Sequence, residues 1–79
     1  MEKTIILNNN IAVGVYGQQN GNIDLLRNIY PKLKIVARGN EVKIAGEESA
    51  VSLFENRFNL LITHYEQFEK LTETDILKI

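Results

Sequence analysis

The segment of residues 34–47, with the sequence KIVARGNEVKIAGE, decides the fold of this 79-residue chain. Two arms of alternating apolar and polar residues meet at Gly39 and Asn40, a pair that tolerates the positive φ angles of a tight hairpin turn. With these two residues as the loop, Arg38 lies opposite Glu41, and the apolar side chains share the other face of the ribbon. The segment therefore predicts a β-hairpin that leads directly into a helix.

The residues before the hairpin predict two further strands and a helix. Residues 4–7 and 11–16 have the pattern of short strands around an Asn-Asn-Asn turn at 8–10. In the second strand Ile11, Val13 and Val15 occupy every other position and therefore share one face. Residues 17–22 are rich in Gly, Gln and Asn and predict a loop. The apolar residues that follow have helical spacing, and this helix ends before Pro31.

The residues after the hairpin predict a long helix and a short one. Apolar residues recur at steps of three and four along the longer segment: Val51, Phe54, Phe58, Leu61, Tyr65 and Phe68. Thr72 and Asp75 form a variant of the capping box that opens the last helix. Its apolar residues Ile76, Leu77 and Ile79 run to the last position without a cap, which suggests that the natural chain continues or that something else covers them.

These elements predict an α+β fold with the order β-β-α-β-β-α-α. Its sheet of three to four strands carries the helices on one face. The length fits a single domain over residues 1–79.

Composition excludes several kinds of site. The chain has no cysteine and one histidine, so it offers neither a disulfide framework nor a thiolate or imidazole metal cluster. A signal peptide or spanning segment is not evident, and we expect a cytoplasmic protein without a membrane partner. Residues 1–46 carry a net charge of +3 and residues 47–79 of −4, so a nucleic-acid contact would have to be local.

Three segments resemble the N-terminal domain of PhoH-like proteins, the phosphate starvation-inducible family of P-loop ATPases. The most specific is VARGNEV at 36–42, which continues through Ile44 and Gly46. The others are the Tyr16-Gly17 loop leading to the apolar residues at 23–26, and the segment 71–77. The resemblance implies a small KH-like domain at the N-terminus of a longer protein, with the ATPase domain absent from this chain. It also implies that the full-length protein binds ATP and magnesium.

No GxxxxGK[ST] motif occurs in the chain, so we expect no ATP hydrolysis by these residues alone. No catalytic constellation is evident either. The resemblance implies a module that binds or positions single-stranded RNA. The alternative is a protein-interaction or oligomerisation domain that packs on its own ATPase domain, or on another subunit of a homo-oligomer, without binding nucleic acid.

Two groups of residues are candidates for nucleic-acid binding. The loop Gly17, Gln18, Gln19, Asn20 and Gly21 precedes a helix and presents backbone N–H groups to a phosphate, although it lacks the GXXG spacing and the positive charge of an RNA-gripping loop. A simple flexible turn is the competing interpretation. The second group is a basic strip of Lys34, Arg38 and Lys43, with Lys32 just before it, for which ordinary solvated strand polarity is the alternative.

Three aromatic or titratable residues have simpler explanations than a site. Tyr16 and Tyr30 have the character of residues at the rim of the core, although aromatic rings also stack on bases. His64 lies beside the apolar stripe of the long helix, with no second histidine or cysteine to complete a metal site.

Overall fold

The computed structural model describes residues 1–78. The elements are β1 (Glu2–Ile6), α1 (Asn9–Tyr16), α2 (Gly21–Ile29), β2 (Lys34–Arg38), β3 (Glu41–Ala45), α3 (Glu48–Phe68) and α4 (Glu73–Lys78). A single 3₁₀ turn at Gln18–Asn20 joins α1 to α2. The fold is α+β, as the sequence predicts.

The three strands form one antiparallel sheet in the order β1-β3-β2. Arg38 pairs with Glu41 in the register, which confirms the predicted hairpin. The tip of the hairpin is fixed to the end of β1, because the Leu7 N–H donates to the Asn40 carbonyl at 2.7 Å and the Asn40 side-chain amide donates to the Leu7 carbonyl at 3.0 Å. β1 and the hairpin therefore hold each other in register.

The strand predicted at 11–16 is wrong, because these residues belong to α1. Asn8 is the N-cap, and its side-chain oxygen accepts from the Asn10 N–H at 2.9 Å. The buried residues of α1 are Ala12, Val15 and Tyr16, which have helical spacing, whereas Val13 is 79% exposed. The alternating β-branched residues have the sequence pattern of a strand, but the asparagine cap and the packing of α1 on α3 favour a helix.

Gly14 brings α1 close to α3. A Cβ atom added at Gly14 would overlap the ring of Tyr65, so no other residue fits without displacing that ring. Glycine lowers helix propensity, but here it permits the two helices to cross closely. Both helices belong to the layer that packs on the sheet.

The core lies between the helices and one face of the sheet. Alternate residues of the strands point into it, and the ring of Phe54 stacks on that of Phe58 at a centroid distance of 5.4 Å. The buried strand residues are Ile5, Ile35, Val42 and Ile44. Within residues 1–78 no helix covers the opposite face of the sheet, so its side chains are directed to solvent.

α4 packs against the helix layer through Ile76, which is 1% exposed, so the expectation that Ile76 is uncovered is wrong. Leu77 is exposed, as expected, and Ile79 lies outside the described residues. The predicted capping box is confirmed. The Thr72 N–H donates to an Asp75 carboxylate oxygen at 3.0 Å, and the Asp75 N–H donates to the Thr72 hydroxyl at 3.2 Å.

Candidate nucleic-acid interface

The glycine loop, residues Gly17 to Gly21, connects α1 to α2 within the helix layer. Gly17 has φ +82°, and a Cβ atom there would lie 2.9 Å from the side-chain carbon Cγ of Asn22. Both the backbone angle and the contact require glycine at this position. Gly21 has φ −59°, and a Cβ atom there would meet nothing within 4 Å. Of the two glycines, only Gly17 is needed for the conformation of the loop.

The three residues between these glycines expose their side chains. Gln19 and Asn20 both adopt left-handed backbone angles, with φ of 53° and 59°. Non-glycine residues adopt this region at an energetic cost, and such residues cluster at ligand-binding sites. The Asn20 N–H donates back to the Gly17 carbonyl at 3.1 Å, which closes the turn. The loop is thus a hydrogen-bonded turn whose residues Gln19 and Asn20 have left-handed backbone angles.

The N-terminus of α2 begins where this loop ends. No side chain caps it, since Asn20 occupies the N-cap position without a side-chain hydrogen bond. The first N–H groups of a helix attract anions, because they lack intrahelical partners and lie at the positive end of the helix dipole. In α2 the first of them, the Gly21 N–H, already donates to the Gln18 carbonyl. Asp24 lies in the same first turn, where its negative charge opposes the binding of an anion. Its carboxylate is, however, paired with Arg27 at 2.7 Å.

Asn22 is the buried polar residue behind the loop, and the sequence interpretation did not single it out. Its side-chain amide donates to the Val15 carbonyl and to the Leu71 carbonyl, each at 3.1 Å. It therefore joins the end of α1, the start of α2 and the segment before α4. The sequence offered one signal, an asparagine directly before the buried Ile23. Because the preceding residues are also Gly, Gln and Asn, this asparagine was assigned to the exposed loop.

Tyr16 ends α1 directly before the loop. Its hydroxyl is buried and has no hydrogen-bond partner in residues 1–78. Burial raises the pKa of this hydroxyl above its ordinary value, and the carboxylate of Glu41 raises the pKa further. Tyr16 is thus a core residue and not an exposed platform for a base. Tyr30 is half-buried, and its ring packs edge-on against Phe54 at 5.2 Å.

Lys34, Arg38 and Lys43 lie together on the open face of the sheet. The register places Lys43 beside Val36, between the two cations of β2. With Glu2 and Glu41 they line a shallow hollow of about 350 Å³. Arg38 and Glu41 are opposite each other in the register, but no ion pair within 4 Å joins them among the described residues. The basic strip is therefore charged surface without an ion-pair partner in this part of the chain.

The structure does not bring the two candidate groups together. The strands point Ile35, Val42 and Ile44 toward the helices, so the alternate residues of the basic strip face the other way. The glycine loop belongs to the helix layer. The loop and the strip are accordingly separate surfaces, and a ligand held by one does not require the other.

His64 lies against Asp75 and Phe68. Its Nε2 is 3.5 Å from an Asp75 carboxylate oxygen, and its ring is 4.8 Å from that of Phe68. The pKa of Asp75 is lowered, first by hydrogen bonds from Thr72 and to a smaller extent by His64. Among residues 1–78, no three His, Cys, Asp or Glu side chains cluster as metal ligands, and no helix has the length and apolar character needed to cross a membrane.

Comparisons with known proteins identify no relative, since no family model, curated protein or solved structure matches the chain. A function for the chain has to be inferred from its own residues.

Proposed function

We propose that the chain is a KH-like module that binds single-stranded RNA through the loop Gly17 to Gly21. The position of this loop carries the proposal. KH domains clamp a nucleic-acid backbone with a glycine loop. The glycine loop here lies between α1 and α2 and leads into the N-terminus of α2. The correspondence is an analogy of fold.

The loop would act through its backbone. It has no lysine or arginine, so a phosphate would be held by N–H groups at the start of α2 and by the exposed amides of Gln18, Gln19 and Asn20. Few cations contact the phosphates in such a site. Because the salt dependence of binding scales with the number of phosphates neutralised, we expect weak binding with a shallow salt dependence.

We further propose that this module is the N-terminal part of a PhoH-like cytoplasmic protein. The segment 36–46 supports this proposal through its resemblance to that family. ATP and magnesium would then be bound by an ATPase domain outside these residues, since the chain has no P-loop motif. The module's role would be to position RNA for that domain.

Fluorescence anisotropy with a labelled single-stranded oligoribonucleotide tests the RNA site. Replacing Gln18 and Gln19 with Glu adds two carboxylates beside the bound phosphates, and we expect about tenfold weaker binding, or about 1.4 kcal/mol. The matched control replaces Asn59 and Gln67, both exposed on α3, with Asp and Glu. It changes the net charge equally and should bind as the parent does. No binding by the parent at low salt, or equal loss in the control, would sink the proposal.

A protein-interaction role is the second candidate, and the surface of α3 favours it. Leu53 and Leu60 are both exposed and seven residues apart, so they lie on the same side of the helix. Phe68 at the end of α3 and Leu77 on α4 are exposed as well. Apolar side chains exposed in this way suit a contact with the proposed ATPase domain. Leu53→Ser with Leu60→Ser should then alter sedimentation of the longer protein while leaving RNA binding intact.

A further inference from the structure

Strand β1 has one paired edge and one open edge. The Met1 and Gly46 backbones exchange hydrogen bonds of 2.9 and 3.0 Å, and the Leu7 N–H donates to Asn40. Backbone groups alternate in direction along an antiparallel strand. Odd-numbered residues of β1 therefore bond to β3, and the N–H and C=O groups of Glu2, Thr4 and Ile6 point away from the sheet. No hydrogen bond from the rest of residues 1–78 reaches them.

The other edge of the sheet is partly covered. By the same alternation, Ile35 and Ala37 turn their backbone groups outward from β2, which spans Lys34–Arg38. The Arg27 side-chain Nε on α2 donates to the Ile35 carbonyl at 3.0 Å, and the Leu33 N–H donates to the Tyr30 carbonyl at 3.0 Å. One carbonyl of the β2 edge is therefore bonded within the chain, whereas all three outward-facing residues of β1 have free backbone groups within residues 1–78.

β1 lacks the features that protect edge strands. It contains no proline, glycine or bulge, and it pairs with β3 over all of its residues. Its lysine, Lys3, faces the helix layer, where the Nζ atom is 3.3 Å from a Glu55 carboxylate oxygen on α3. This ion pair holds the Lys3 ammonium group over the helix layer. Ile6, at the open edge, is 68% exposed.

We propose that β1 pairs antiparallel with β1 of a second copy of this chain, about a two-fold axis at Thr4, to form a continuous six-stranded sheet. The strand is complementary to itself in this register. Thr4 meets Thr4, a favourable cross-strand pair, and Glu2 meets Ile6, so no like charges are opposed. All three outward-facing residues of each copy then form hydrogen-bonded pairs.

The closed symmetry follows from the pairing of β1 with itself, which occupies the same edge in both copies. Once the two β1 strands have paired, the outer edges of the joined sheet are two copies of β2, each partly covered by Arg27. The interface is isologous, so the assembly stops at two copies and does not grow into a filament. Each Ile6 side chain is covered by the aliphatic part of Glu2 from the other copy.

Light scattering coupled to size-exclusion chromatography, over about a hundredfold dilution, measures this dimer without nucleic acid. Thr4→Pro removes the central outward N–H and leaves the bonds to β3, because proline is tolerated where the N–H faces away from the ladder. Thr4→Val keeps the N–H and is the control. We expect a dimer for the parent chain and for Thr4→Val, and a monomer for Thr4→Pro.

Amide hydrogen exchange gives a second readout that needs no variant. The amides of Glu2, Thr4 and Ile6 should be protected at high concentration and lose protection on dilution, whereas Lys3 and Ile5 stay protected by β3. A monomer at every concentration, unprotected even-numbered amides throughout, or a dimer that survives Thr4→Pro would overturn the proposal. None of these outcomes bears on the RNA site.

Discussion

The side-chain amide of Asn22 and the backbone carbonyl of Leu71 are 49 positions apart and joined by a buried hydrogen bond of 3.1 Å. The same amide donates to the Val15 carbonyl in the last turn of α1, so one side chain connects the loop, the first two helices and the segment before α4. Removing a buried partner leaves those carbonyls without a donor, which costs more than the net value of the bonds.

Asn22→Ala should accordingly lower the free energy of unfolding by about 1–3 kcal/mol. Asn28→Ala is the matched control, because Asn28 lies exposed on the same helix and should change the stability by less than about 0.5 kcal/mol. Urea denaturation monitored by circular dichroism measures both. Equal effects of the two substitutions would show that Asn22 acts only through helix propensity.

Gly14→Ala should destabilise the chain by about 1–3 kcal/mol, because the new methyl group overlaps the Tyr65 ring and overpacking forces α1 and α3 apart. Gly21→Ala provides the contrast. Gly21 has right-handed helical angles and open space around it, so alanine should stabilise the chain by about 0.4–1 kcal/mol. Thermal unfolding of the two variants measures whether each substitution lowers or raises the stability. A stabilising Gly14→Ala would contradict the close crossing of the helices.

Tyr16→Phe should leave stability near neutral pH unchanged or raise it by up to about 1 kcal/mol, because the buried hydroxyl has no partner in residues 1–78. The folded chain raises the pKa of this hydroxyl, so the neutral form contributes stability below pH 10.0 that is lost as the pH rises above it. The variant should therefore lose less stability than the parent in alkaline solution. Denaturation at several alkaline pH values measures this, and parallel losses would count against it.

Acid should release α4 before the rest of the fold. The Thr72 hydrogen bonds hold the pKa of Asp75 below its ordinary 3.8, so ionised Asp75 stabilises α4 above that pH and the contribution is lost as the pH falls through the lower, folded value. NMR chemical shifts of residues 73–78 should follow this transition. Asp75→Asn should abolish it, and Glu73→Gln, a change at an exposed position of the same turn, should not.

The sequence predicted those parts of the fold that depend on neighbouring residues. The hairpin register at Arg38 and Glu41 follows from alternation around Gly39 and Asn40, and the capping box at Thr72 and Asp75 from their spacing. α1 was missed because its three alternating β-branched residues have the period of a strand. The burial of Ile76 was missed because α2, which contacts α4, is distant in sequence.

By itself, then, the sequence determined the hairpin, the long amphipathic helix and the glycine loop, since each is fixed by local backbone preferences and short periodicities. Only the tertiary structure decided that residues 9–16 are helical, that Asn22 is buried behind the loop, and that the loop and the basic strip are separate surfaces. It also left β1 with a free edge while Arg27 covers part of β2. These features arise from contacts between distant segments, which local patterns do not encode.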